Sequence, residues 1–248
     1  MITALRRRLR DVAPLRRAVV PIMAMLRPAD TVADWLAFPM YHHFRAADRA
    51  SFHTQLRAMR SRADFVTLDD AVAMLSQPRL SGRHVCITFD DGWRGPCEHA
   101  WPILAEQGVP AAFFVVPGWI DQGGEEFVSW DDCRRLAAGG ATIGSHSMTH
   151  ARLAQLDAPS AQAQVAGSRR RIEAELHRPC RHFACPWGQP GEDYLPDRDR
   201  GAARDAGYGS FLTTIRGRAW AGTSLWAIPR IRLEPEWGAG QLRYAFSS

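Results

Sequence analysis

Two stretches of this 248-residue chain carry groups able to bind a cation and move a proton. Residues 144–150 read GSHSMTH, which sets His146 and His150 four positions apart with small or flexible residues between them. Residues 88–92 read TFDDG, with Asp90 and Asp91 adjacent and directly behind the apolar run HVCITF. Two neighbouring carboxylates at the end of a buried strand are costly, because like charges repel and burial penalises each. A bound cation relieves that cost. One carboxylate and two imidazoles supply three protein ligands and leave a coordination position for water, the composition of a catalytic zinc-type site rather than a closed structural one. Such a metal acidifies its water and polarises a carbonyl oxygen, and the other carboxylate is then free to take a proton. Should the chain turn helical after Ser145, the two histidines share one face.

Each motif is weak alone. The HxxxH spacing recurs by chance, and a DDG can be a solvated turn. Asp69-Asp70, in TLDDAV, reads as no more than the charged first turn of a helix. A third segment, FACPWGQPG (183–191), is a rigid turn carrying Trp187, equally readable as a structural turn around a packed tryptophan.

These groups need strands that deliver them to one place. Strand-like runs recur at LAFPMYH (36–42), HVCITF (84–89), AAFFVV (111–116), ATIGSH (141–146), HFACP (182–186), YGSFLTT (208–214) and WAIPRI (226–231). Helix-like stretches fall between them: Phe52, Leu56 and Met59 at helical spacing, Leu68 to Leu75 behind Thr67, CEHAWPILAEQG, SWDDCRRLAAGG capped by Ser129, Ser160 to Leu176, and LPDRDRGAARDAG. This alternation predicts an α/β fold with a parallel sheet covered on both faces. About seven repeats of the unit favour a single-domain barrel over an open sheet, with chemistry at the carboxyl ends of the strands. Asp90-Asp91 and His146-His150 both fall at such ends. Trp93, Trp119 and Trp187 fall near the same face, where aromatic rings can pack on apolar parts of a ligand; Trp35, Trp101 and Trp130 are expected in the core.

The chain is 46% hydrophobic and 23% charged, with a net charge of +5, ordinary values for a soluble globular protein. It has no lysine, which excludes Schiff-base catalysis and lysine-dependent phosphate loops. Its five cysteines form no CxxC pair and read as reduced structural thiols in a reducing compartment. Residues 1–35 form a basic arm whose apolar run, Ala18 to Leu26, is broken by Pro21 and is too short to span a bilayer. The expectation is a cytoplasmic chain whose arm is able to touch an anionic membrane surface, followed by a catalytic domain over residues 36–248. No groove-reading motif accompanies the arginines, so a nucleic-acid partner is not expected.

TFDDG, SHSMTH some fifty-five residues later, and the PWG turn together resemble the three leading motifs of the polysaccharide deacetylases, the NodB homology domain. YHHF near the start, PILAEQGVPAAFFVV after TFDDG and LWAIPRI near the end agree with the resemblance, which runs from about Ala37 to Leu233. It implies a distorted (β/α) barrel that removes acetyl groups from sugars with a divalent metal, zinc first, with cobalt or nickel as alternatives. It implies that Asp90 is the general base acting on a metal-bound water, that Asp91, His146 and His150 are the metal ligands, and that the Trp187 backbone N–H stabilises the oxyanion. The arginine often found in the third motif is replaced by Ala184, and no histidine follows His182. Both departures are similar to the branch that includes deacetylases of poly-N-acetylglucosamine. There a Tyr-His pair on the first strand supplies the acid, here Tyr41-His42, with His43 as the alternative, and Arg230 is the candidate for the missing arginine. The implied substrate is an acetylated polysaccharide or glycan precursor. A small lipid- or nucleotide-linked sugar carrying an acetyl or formyl group is the alternative, and a catalytically weak glycan-binding barrel is a third reading.

Overall fold

The computed structural model describes residues 32–246, so the basic arm lies outside the described residues apart from positions 32–35. The strands are β1 (Trp35–Ala37), β2 (Pro39–Tyr41), β3 (Asp64–Phe65), β4 (Arg83–Val85), β5 (Ile87–Phe89), β6 (Ala111–Val115), β7 (Thr142–Ser145), β8 (His182–Ala184), β9 (Ser210–Arg216) and β10 (Ile228–Arg232). Seven of them close, in the order β10-β2-β5-β6-β7-β8-β9, into an all-parallel barrel. The predicted barrel is therefore the observed one. The remaining three form a small parallel sheet, β1-β4-β3, which the sequence patterning does not announce. It continues two barrel strands: β1 runs into β2 across Phe38 and β4 into β5 across Cys86, in one unbroken register (Ala37↔Val85, Met40↔Thr88).

Around the barrel lie α1 (Arg49–Arg60), α2 (Leu68–Leu75), α3 (Trp101–Glu106, behind a π-helical turn at Pro96–Ala100), α4 (Pro117–Gln122), α5 (Trp130–Ala138), α6 (Ala158–Leu176), α7 (Pro196–Asp205) and α8 (Ala239–Phe246). Their starts follow from side-chain caps that satisfy otherwise unpaired N–H groups. Thr67 accepts from the Asp70 N–H, and Ser129 and Asp132 form a reciprocal capping box. The α6 helix begins at Ala158, earlier than the predicted Ser160, because Asp157 is its cap and accepts from the Ser160 N–H.

Successive strand residues point to opposite faces, and this divides the apolar residues into two cores. Leu36, Phe38, Cys86, Ala112, Phe114, Ala184, Leu212 and Ile228 cluster inside the barrel, together with Leu68, Ala71 and Leu75 of α2. Thus α2 closes the amino-terminal mouth, and its Asp69 accepts at 3.2 Å from His182 Nε2 at the start of β8. Asp69 is more than a first-turn charge. The alternate strand residues, among them Ile87, Phe89, Phe113, Val115, Ile143 and Phe183, pack outward with Leu56, Ile103, Leu136, Val165 and Ile172 of the helices. Trp35 belongs to this outer core, whereas Trp101 and Trp130 only lean on it, half-buried. No helix among the described residues is long and apolar enough to cross a membrane.

Gly144 shows how tightly the interior is filled. A Cβ there would lie 2.5 Å from two carbons of the Phe114 ring and 3.0 Å from the His182 carbonyl oxygen. The ring is enclosed by the barrel wall and has no room to yield. Gly144→Ala is therefore expected to cost about 1–3 kcal/mol by overpacking, read as a lower denaturant midpoint at unchanged slope.

Candidate functional site

The carboxyl ends of the strands converge at the open mouth. Asp90 extends β5: its N–H donates to the Tyr41 carbonyl at 2.9 Å, and alternation turns its side chain inward. There it meets Arg230 of β10, whose Nη1 and Nη2 donate to Oδ1 and Oδ2, each at 2.7 Å. Both residues are 1% exposed. The guanidinium is itself held, with Nε donating to the Thr213 carbonyl at 2.9 Å and Nη1 standing 3.4 Å from Thr88 Oγ1. Burial pushes the Asp90 carboxyl up, but the charge of Arg230 and then of His146 outweighs it, so the group sits below its ordinary value. A planar fork meeting a carboxylate in this way fixes orientation as well as charge.

The next residue turns the other way. Asp91 and Gly92 are both left-handed, with φ of 70° and 72°, and the reversal aims Asp91 at the loop after β7. That loop does not turn helical. Ser147 and His150 are left-handed instead, with φ of 61° and 60°, and the irregular path brings the two imidazole centroids to 4.9 Å. Neighbouring elements pin it: the Gly118 N–H at the start of α4 donates to the Met148 carbonyl at 2.8 Å, the Met148 N–H to the Gln164 carbonyl at 3.1 Å, and the Thr149 N–H to Gln164 Oε1 at 2.9 Å.

Asp91 Oδ1 lies 3.3 Å from His146 Nε2 and 3.2 Å from His150 Nε2, yet this buried oxygen has no hydrogen-bond partner in good geometry. His146 Nδ1 is 2.7 Å from the Ala184 carbonyl. A carbonyl only accepts, so Nδ1 carries the proton and a neutral His146 presents the lone pair of Nε2. In that state the Nε2 lone pair faces an anionic oxygen, and the two repel unless a cation lies between them. Among the described residues these three side chains form the one cluster of potential ligands able to close on an ion. The set of one carboxylate and two imidazoles fits a divalent metal. Burial raises the Asp91 carboxyl, but the two imidazoles outweigh it and hold it far below the usual range. Burial lowers His146, but Asp90 and Asp91 outweigh it and leave the imidazole above its ordinary value.

Aromatic rings rim this cluster. Centroids run from His43 to Trp93 at 4.3 Å, Trp93 to Phe127 at 4.6 Å, Phe127 to Trp119 at 4.7 Å, Trp119 to His150 at 5.0 Å and His150 to Trp187 at 5.3 Å. Trp187 is half exposed at 50%, with the Arg152 guanidinium 4.4 Å over its ring. Its φ of 62° and that of Gly188, 74°, turn the chain sharply. A Cβ on Gly188 would come within 2.6 Å of the Thr214 backbone nitrogen, so only glycine allows that approach. The Trp187 carbonyl accepts from Thr214 Oγ1, while its N–H meets no acceptor among the described residues. Tyr41 and His42 part company: the Tyr41 hydroxyl turns outward to Gln55 Oε1 at 2.7 Å, and His42 lies within electrostatic reach of Asp90, Asp91, Arg230 and Arg232.

The seven candidates therefore converge on one mouth. The sequence reading passes over Gln164, and it places Trp93 near the active face and Ala184 in the third motif without the contacts by which they act: the Ala184 carbonyl meets His146 Nδ1, and Trp93 Nε1 donates to Asp91 Oδ2 at 3.0 Å. Trp93 follows TFDDG directly, which was the available signal. The other two act from distant positions.

Replacing Arg230 by Met leaves Asp90 buried and unpaired. Removing one partner of such a pair costs about 3–5 kcal/mol. Asp90's lowered carboxyl contributes stability that is present above the usual carboxylate range and lost as pH falls through the lowered value. Without Arg230 that contribution disappears, so Arg230→Met should unfold at lower denaturant near neutral pH, with a smaller difference from wild type in acid.

Residues 77–210 match the family model for polysaccharide deacetylase. A putative polysaccharide deacetylase, YxkH of Bacillus subtilis (strain 168), is 29% identical over 171 residues, 68% of this chain and 59% of that protein. A chitooligosaccharide deacetylase of Rhizobium leguminosarum bv. trifolii is 34% identical over 84 residues, 34% of this chain and 36% of that protein. The chain thus spans less than two thirds of the length of both relatives. Among solved structures, Streptococcus pyogenes deacetylase PplD in complex with acetate has a similar fold, with a TM-score of 0.75 and 22% identity over 85% of this chain and 97% of that one. The family match over more than half of the sequence, with its motif residues gathered at the barrel mouth, means that this chain belongs to the polysaccharide deacetylase family.

Proposed function

We propose that the chain is a metal-dependent hydrolase that removes N-acetyl groups from amino sugars in a polysaccharide or glycan precursor. The observation that carries the reading is the closing of His146 and His150 on the orphaned Oδ1 of Asp91, beside an Asp90 held ionised by Arg230. Relatives named for deacetylation of polysaccharide and of chitooligosaccharide supply the substrate class. Asp91, His146 and His150 would hold the ion; imidazole and carboxylate suit zinc best, with cobalt or nickel also accommodated. When bound, it supplies Lewis-acid polarisation of the acetyl carbonyl and lowers the pKa of water.

The chain's own groups divide the remaining work. Asp90 takes a proton from the attacking water, and Arg230 keeps it charged and aimed. The unpartnered Trp187 N–H donates to the acetyl oxygen as negative charge gathers there, the role of an oxyanion-hole donor. His42 passes a proton to the nitrogen as the amide bond breaks, giving acetate and a free amine. Burial lowers His42 below the ordinary imidazole value, with Asp90 and Asp91 opposing, so once charged it is a stronger acid than a free imidazole. His43, exposed and tilted against the Trp93 ring, is the weaker candidate. Trp119 and Trp187 offer rings on which a sugar can rest.

Metal content by mass spectrometry, alongside acetate release from chitooligosaccharides of increasing length and from activated monosaccharides, tests the reading. Stoichiometric metal and acetate release from the oligosaccharides are expected; metal without any release would leave only a glycan-binding barrel. Asp91→Ala should lose metal and turnover together. Asp90→Asn should keep metal and lose rate by about 10²–10⁴, and an Asn variant with wild-type rate would end that assignment. A leaving phenolate needs no proton, so His42→Gln should slow amide cleavage far more than cleavage of p-nitrophenyl acetate. The same result from His43→Gln instead would transfer the role.

A further inference from the structure

Asp91 has two carboxylate oxygens, and they are treated differently. Oδ1 is the buried, orphaned atom facing both imidazoles. Oδ2 accepts from the indole N–H of Trp93 at 3.0 Å. The indole is clamped for this. One neighbour is Phe127, stacked at 4.6 Å with planes 30° apart, and another is the His43 ring at 4.3 Å. Phe127 is itself tied to the same turn: Trp93 and Phe127 form a backbone bridge, the Val128 N–H donates to the Gly92 carbonyl at 2.9 Å, and the Arg94 N–H donates to the Glu126 carbonyl at 2.9 Å. Arg94 Nε and Nη2 then grip the Phe127 carbonyl at 3.2 and 3.1 Å.

A carboxylate beside a cation can bind through one oxygen or both, and the choice sets how many positions remain for water and substrate. An N–H on one oxygen draws on its electron density and favours the other for the cation. We propose that Trp93 is a positioning residue that occupies Oδ2, so that Asp91 meets the metal through Oδ1 alone. A neutral donor does this without neutralising the ligand, as an arginine in that place would. The assignment rests on the metal-dependent reading above and concerns a contact which that reading does not use. Groups that hydrogen-bond a ligand typically account for about 10- to 100-fold in metal affinity.

The test uses Co²⁺ alone, with the full chain stripped of metal, and competition against a chromogenic chelator. Trp93→Phe keeps a ring between Phe127 and His43 and removes the N–H. It should bind Co²⁺ about 10- to 100-fold more weakly, and its cobalt complex should absorb less in the visible as the second oxygen joins and the coordination number rises. Benzothienylalanine at position 93 retains the bicyclic shape, replaces N–H by sulfur, and should reproduce both changes if the Phe variant folds poorly. Wild-type affinity in either variant, or an unchanged cobalt spectrum, would overturn the role of Trp93 while leaving the metal site standing. A wild-type chain that fails to bind Co²⁺ would remove the metal-dependent reading and this inference together.

Discussion

The contact between Asp90 and Arg230 sets the terms for everything at the barrel mouth. Two fully desolvated charges from strands far apart in sequence are tolerable only because the pairing is bidentate and the remaining guanidinium N–H groups are absorbed by Thr213 and Thr88. A looser pairing would leave an uncompensated buried charge, and Asp90 would answer it by taking up a proton. The pair also joins β5 to β10, with β2 between them, so the barrel closes around it. Geometry and protonation state are thus secured by one interaction.

Backbone conformation secures the rest. Of the left-handed non-glycine residues described, Asp91, Ser147, His150 and Trp187 lie in the three loops around the cluster, and only His177, which ends a helix, lies elsewhere. Such conformations cost on the order of 1–3 kcal/mol each and persist only where the surroundings impose them. Here the surroundings are Gly118 and Gln164 around the histidine loop and Thr214 behind the PWG turn. The loops are strained beside the clustered side chains and braced by residues outside the cluster.

Much of this was legible beforehand. Alternating apolar runs and capped helices gave a parallel barrel, because strand burial and cap chemistry are local and leave local marks; Thr67 and Ser129 are cases in point. The clustered carboxylate and imidazoles were legible because TFDDG and SHSMTH are compact motifs, and Arg230 because one expected arginine was missing elsewhere. That SHSMTH takes no helical turn could not be read locally: its path is set by hydrogen bonds to α4 and α6, partners distant in sequence. The short β3 escaped notice because two residues, Asp64 and Phe65, are too few to show a period. The carbonyl of Ala184 that orients His146 is invisible in any sequence, since every residue has one.

The plug formed by α2 has a geometric consequence. With Leu68, Ala71 and Leu75 filling the far end, the barrel is a cup rather than a pipe. Nothing long can be threaded through it, and whatever arrives at Asp90 departs over the same lip. Under the proposed function, a lengthy strand of sugar would lie crosswise on the aromatic brim and dip one side group at a time toward the floor.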